Sequence, residues 1–182
     1  MARCLRKVFM IDYVILSNTR TEKDYAMTSG LLSSLENTVY PVENGFDSYR
    51  VTIVENNPDC GGFVYPASCD IVFFDMEKYG MFNYNYALNM GYNSCFSKHG
   101  DTDWFCVLNN DVVCESDWLH EISKAINTDP RIESVGPNPY KRGSGVIYGY
   151  TLFKHMDGCC ILHRRNILDK IGMWDETFDF AY

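Results

Sequence analysis

Short apolar runs rich in β-branched and aromatic residues alternate along this chain with longer segments of helical spacing, and that alternation constrains the fold more than any other feature. Residues 12–17 read as a buried strand, and residues 22–36 as the helix that follows, with Thr21 as its N-cap. A second strand is predicted over 49–55, closed by the turn-rich stretch 56–62, and a third over 70–74. Residues 82–97 have helical spacing, with Tyr86, Met90 and Leu88 on the apolar side. A fourth strand is predicted over 104–108. The helix over 117–126 turns Trp118, Leu119, Ile122 and Ile126 inward, with Ser116 as its cap. A short strand over 133–135 ends at Gly136 and Pro137, and the Gly- and Tyr-rich stretch 141–150 carries little structural signal. The last apolar strand is predicted over 159–163, and a short helix over 165–171 ends at Gly172.

This β-α-β order implies an α/β fold of Rossmann type, a mostly parallel mixed sheet with helices on both faces. Ligands of such sheets sit beyond the carboxyl ends of the strands. The polar clusters Ser17-Asn18-Thr19, Glu55-Asn56-Asn57 and Asn109-Asn110-Asp111 all fall at predicted strand carboxyl ends. That coincidence locates the site.

Composition excludes several classes. At 182 residues, 46% hydrophobic and 22% charged, the chain has the length and make-up of one globular domain, not of a disordered or fibrous protein. The net charge of −8 argues against a nucleic-acid partner, because the basic groups (residues 3–7 and 163–165) are short. No apolar run approaches the ~20 residues of a membrane span. The first residues mimic the charged and apolar regions of a signal peptide, but Asp12 interrupts the apolar run and no small-residue cleavage site follows. The eight cysteines read as reduced, mostly buried thiols of a cytoplasmic protein. With no C-x-x-C pair and four scattered histidines, zinc-ligand spacing is missing.

One cluster carries chemistry. Asn109-Asn110-Asp111 follows an apolar strand and precedes a helix. A carboxylate held at a strand end beside two amides suits a hard divalent cation that keeps several waters and binds phosphate oxygens. Turns rich in Asn and Asp are also common in proteins of every class.

Several stretches, in order, resemble the family 2 glycosyltransferases, inverting nucleotide-sugar enzymes of GT-A fold, and among them the rhamnosyltransferase-like enzymes of surface polysaccharides. Residues 12–19 match the first strand and its donor-binding end, and residues 51–57 the second strand with its acidic end. Residues 82–91, FNYNYALNMG, are similar to the family's F-N-[FY]-S-x-x-N-x-G segment. Residues 104–113 with Asp117-Trp118-Leu119 resemble the metal motif and the helix after it; residues 158–165 and 171–176 resemble the acceptor-side region. The aspartate-x-aspartate motif stands here as Asn109-Asn110-Asp111, which leaves Asp111 as its carboxylate. Glu55 stands where Asp is commoner.

The resemblance implies a single GT-A domain over 1–182 that moves a sugar from a nucleoside diphosphate (UDP, GDP or dTDP) to a hydroxyl of a glycan or other acceptor, with inversion and metal assistance. It implies donor contacts at Ser17, Asn18, Thr19, Glu55, Asn83, Asn89, Asn109, Asn110 and Asp111, with Asp111 holding the metal, Mn²⁺ or Mg²⁺. Asp175 and Glu176 are the nearest carboxylates for the catalytic base, or else cap a helix and charge the surface. Glu55 contacts the nucleoside or is a plain solvated carboxylate; Asn83 and Asn89 serve the donor or are cap and core amides. Arg164 and Arg165 meet an anion or are surface residues. The family's Glu-Asp pair and acceptor region would fall beyond Tyr182, so weak transfer is expected of these residues alone. Two alternatives stand beside this reading. One is a truncated or degenerate domain that binds nucleotide sugar without efficient turnover. The other is a GT-A-like nucleotidyltransferase, whose glycine-rich signature with a basic residue is not found over 17–21.

Overall fold

A computed structural model of the chain describes residues 9–74, 76–137 and 159–178. The expectations for residues 3–7, Cys4, 141–150 and 179–182 fall outside these. Among the described residues the strands are β1 (Phe9–Ser17), β2 (Phe46–Glu55), β3 (Cys69–Phe73), β4 (Trp104–Asn109), β5 (Ser134–Val135) and β6 (Cys160–Arg164). The helices are α1 (Glu22–Glu36), α2 (Met76–Tyr79), α3 (Tyr84–Lys98), α4 (Trp118–Thr128) and α5 (Arg165–Ile171). The strands form one sheet in the order β3-β2-β1-β4-β6-β5. β1 to β4 are parallel, β6 runs antiparallel to β4, and β5 antiparallel to β6.

Period-two alternation divides the core between the two faces of the sheet. Ile11, Tyr13 and Ile15 of β1, with Ile53, Trp104, Cys106 and Leu108 beside them, pack under Leu31 and Leu35 of α1 and Leu119, Ile122 and Ile126 of α4. Val14, Leu16, Val54, Phe105 and Val107 face the other way, under Ala87, Leu88, Tyr92 and Cys95 of α3 and Leu168 of α5.

Local chemistry fixes the helices. Thr21 caps α1 in a reciprocal box: its hydroxyl accepts from the Asp24 N–H while the Asp24 carboxylate accepts from the Thr21 N–H. The buried side of α3 is turned from the sequence expectation, with Ala87, Leu88, Gly91, Tyr92 and Cys95 inward and Tyr86 and Met90 at its flank. Gly91 sets that rotation. A Cβ there would lie 2.5 Å from Cγ1 of Val14, so α3 approaches β1 more closely than an alanine permits. Ser116 does not cap α4; Asp117 occupies the cap position without a side-chain bond, and the Ser116 carbonyl accepts from the Val39 N–H at 2.7 Å.

Asp12, the charge that interrupts the first apolar run, is 1% exposed and is held by a two-pronged contact from Arg50 of β2 (2.6 and 3.2 Å). A buried carboxylate paired in this way avoids most of the cost of leaving water. The described cysteines are free thiols. Among the described residues no helix is long and apolar enough to cross a membrane.

Candidate functional site

The strand order places a topological switch between β1 and β4. From β1 the chain crosses through α1 to β2 on one side, and from β3 it crosses through α3 to β4 on the other, with α1 and α3 on opposite faces. Loops diverge at such a point and leave a crevice outside the carboxyl ends. A cavity of about 510 Å³ lies there, lined by Leu16, Ser17 and Asn18 at the end of β1, by Arg20, Asp24 and Met27, by Asn56 after β2, by Phe82 and Tyr84, and by Asn109, Asn110 and Asp111 at the end of β4.

A buried hydrogen-bond network braces the floor. Glu55 is 0% exposed. One of its oxygens accepts from the N–H groups of Thr19 (2.9 Å) and Asn57 (2.8 Å), and the other from the Tyr65 hydroxyl at 2.8 Å. Burial and the adjacent carboxylate push the Tyr65 phenol up to about 12, so it stays a donor. The same hydroxyl meets Ser17 Oγ (3.1 Å) and Thr19 Oγ1, and Ser17 Oγ lies 3.0 Å from Thr28 Oγ1. Thr28 in turn accepts from the Asn110 amide at 3.2 Å. The network therefore joins the end of β2 to the end of β4 through α1.

These placements revise several expected roles. Glu55 and Thr19 are buried and do not line the cavity, and their side chains are bonded to protein partners around the ends of β1 and β2. Asn83 is 2% exposed: its Oδ1 caps α3 by accepting from the Tyr86 N–H, and its amide donates to the Glu176 carbonyl at 2.9 Å. Asn89 donates to the Trp174 carbonyl (2.8 Å) and to Glu176 Oε1 (3.0 Å), and accepts from the Trp174 N–H. Asn85 adds a bond to the Asp175 carbonyl at 2.8 Å. The amides of α3 thus fasten residues 174–178 along the helix and leave the cavity to others.

Asp175 and Glu176 do not line the cavity. Asp175 is exposed and accepts from the N–H and hydroxyl of Thr177, which hold its carboxyl below the usual carboxylate range. Such a depressed pKa makes a weak base. Arg164 and Arg165 lie at the far end of the sheet, stacked over Trp104 and Phe96 and donating to the carbonyls of Ile132 and Gly100.

Ser17, Asn18, Asn109, Asn110 and Asp111 do line the cavity. Asp111 is exposed there, and no hydrogen bond or ion pair from a described residue engages its carboxylate. Among the described residues no cluster of three His, Cys, Asp or Glu forms a cage. One free carboxylate beside two amides fits a cation that keeps its waters and takes its other ligands from a phosphate, and does not fit a fully protein-bound ion. Sequence reasoning passed over Arg20, because residues 17–21 contain no glycine. Its Nε donates to Asn18 Oδ1 at 3.1 Å, which presents a guanidinium at the cavity wall.

No family model and no curated protein matches the sequence. Solved structures do match. S. aureus TarS 1-349 superposes with a TM-score of 0.62 at 12% identity, covering 95% of this chain and 52% of that one. The same TarS fragment in complex with UDP-GlcNAc gives 0.53 at 13% identity, covering 89% and 47%. The 4-diphosphocytidyl-2C-methyl-D-erythritol synthase of Anaerococcus prevotii gives 0.56 at 9% identity, covering 96% and 80%. The chain has a GT-A-like, Rossmann-type fold. It spans about half the length of the TarS fragment.

Proposed function

We propose that the chain binds a nucleoside diphosphate-sugar across the carboxyl ends of β2, β1 and β4 and transfers the sugar, with inversion, to a hydroxyl of a glycan or similar acceptor. The observation that carries this reading is the cavity at the β1/β4 switch point, with the uncommitted Asp111 carboxylate and Arg20 on its wall. The fold shared with TarS, a family 2 glycosyltransferase that binds UDP-GlcNAc in one of the matching structures, supports it.

Leaving-group charge is the main barrier to such a transfer, because the departing diphosphate gains an anion as the glycosidic bond breaks. Arg20, tethered through Asn18, offers donors to the phosphates. Asp111 would hold Mg²⁺ or Mn²⁺, which when bound supplies Lewis-acid stabilisation of the diphosphate. Asn110, fixed by Thr28, and Asn109, near the Tyr84 hydroxyl at 3.4 Å, hold the Asp111 backbone in place. Phe82 and Tyr84 line the α3 side of the cavity. Asp24 and Asp111 are the carboxylates on the wall, and Asp24 is committed to capping α1, so this reading assigns the acceptor's proton to no described residue.

A second reading has its own support. Arg20 supplies the basic residue of a nucleotidyltransferase, and the Anaerococcus synthase is covered over 80% of its length. Product analysis separates the readings. With UDP-, GDP- and dTDP-sugars plus Mn²⁺, the transferase reading predicts release of the nucleoside diphosphate. Release of pyrophosphate from a nucleoside triphosphate and a sugar phosphate, without the first reaction, would favour the nucleotidyltransferase. Nucleotide-sugar binding without either product would favour a binding domain.

A further inference from the structure

The chain of hydroxyls that starts at Glu55 has a direction. A serine, threonine or tyrosine hydroxyl has one proton to give and lone pairs to receive with, a carboxylate oxygen only receives, and the NH₂ of an amide only gives. Tyr65 gives its proton to Glu55 Oε2 at 2.8 Å, so its own oxygen receives from Ser17 Oγ at 3.1 Å. Ser17, its proton given, receives from Thr28 Oγ1 at 3.0 Å. The reverse order would set lone pairs of Ser17 and Tyr65 against each other in a buried contact, which costs the bond without replacing it. The other acceptor within reach of the Thr28 proton is the Asp24 carbonyl at 3.4 Å, which also only receives. By either route Thr28 has no proton left for Asn110 and must accept from it.

The two ends of an asparagine amide have the same shape, and this chain selects between them. Nδ2 of Asn110 takes the contact with Thr28 Oγ1 at 3.2 Å. The planar amide then leaves Oδ1 as its open atom: no described residue donates to it, and it is not sealed from solvent. Asn110 lines the cavity next to Asp111. Hard divalent cations take amide carbonyl oxygens as well as carboxylates, whereas an NH₂ group offers them nothing. We infer that Thr28, held in turn by Ser17, Tyr65 and Glu55, is a positioning residue that keeps the Asn110 amide oxygen free for a divalent cation at Asp111. The far end of the chain is pinned, because Glu55 Oε1 accepts from the N–H groups of Thr19 and Asn57. Thr28 and Glu55 are both 0% exposed, so bulk water does not replace either. The orientation of a side chain after β4 is thereby set from the end of β2, through α1.

This inference rests on the reading of Asp111 as a cation site, and the test separates the two. Mn²⁺ is titrated into the native protein, Thr28→Val and Thr28→Ser, each with UDP, and free Mn²⁺ is followed by its paramagnetic resonance signal. Thr28→Ser keeps the hydroxyl and should match the native protein. Thr28→Val should bind Mn²⁺ about ten-fold more weakly, the size of loss expected when a residue that orients a metal ligand is removed. UDP binding without Mn²⁺ should be equal in all three, which a general loss of structure would not leave intact. A second readout needs no variant: in the ¹⁵N-labelled native protein, one Asn110 Nδ2 proton should exchange slowly with solvent, and this decides the matter if Thr28→Val does not fold. Unchanged Mn²⁺ affinity in Thr28→Val, equal weakening in Thr28→Val and Thr28→Ser, or fast exchange of both Nδ2 protons would overturn the role of Thr28 and leave the cation reading standing. Failure of the native protein to take up Mn²⁺ beyond what UDP alone binds would overturn both.

Discussion

At the scale of single residues, the chain spends its asparagines in two ways that look identical in a sequence. Asn109, Asn110 and Asn56 face the cavity, whereas Asn83, Asn85 and Asn89 are consumed in fastening residues 174–178 to α3. Position in a motif marks both groups as special; only the partners separate the cavity wall from the fastening of residues 174–178. Glu55 makes the same point, since an acidic residue at a strand end reads as a ligand contact and is in fact a buried brace. Gly91 is a residue whose role geometry fixes without ambiguity. Gly91→Ala should destabilise the protein by about 1–3 kcal/mol, because the stiff Val14 side chain cannot yield to a new Cβ, and this outweighs the roughly 1 kcal/mol that alanine gains in helix propensity. Urea unfolding measures it. A stabilised variant would mean that α3 has room to move off the sheet.

At the scale of elements, the strands and helices were legible because period and capping agree locally. Thr21 and Gly172 bound α1 and α5 as their chemistry requires. Strand lengths were less legible: β1 and β2 each begin three residues before the predicted strands, β1 because its apolar run continues past the buried Asp12 back to Phe9, and β2 because pairing with β1 decides where its ladder starts. That β6 runs antiparallel was not readable either, because strand direction depends on a connection and not on the strand's own residues. β6 carries a pH-sensitive group. His163 is half-buried against Trp174, its Nδ1 2.8 Å from Ser134 Oγ of β5, and the loss of solvent around it lowers its pKa to about 4. The unfolded chain takes up this proton near 6.5 and the folded chain refuses it until about 4. Stability should therefore be full above pH 6.5 and fall as the pH drops towards 4. Thermal unfolding across that window should show the slope, and His163→Gln should flatten it. The carboxylates whose pKa is lowered, such as Asp70 and Asp175, add losses only at more acid pH, near and below about 4. An unchanged slope in His163→Gln would assign the effect elsewhere.

At the scale of the whole molecule, the place of the site was legible before its contacts. Polar clusters at successive strand ends can converge only where the sheet order reverses, and the cavity lies there. Arg20 stayed hidden because its placement depends on the Asn18 tether, a contact that leaves no sequence signal, even though the Thr21 cap beside it does. The central claim is that this crevice takes a nucleoside diphosphate with a cation held by Asp111. Titration calorimetry of UDP against the native protein and Asp111→Asn, each with and without Mn²⁺, tests it most directly. The account predicts that Mn²⁺ tightens binding to the native protein at least ten-fold and that Asp111→Asn loses most of that gain, since the neighbouring amides carry no charge. Equal affinity in all four conditions would contradict it.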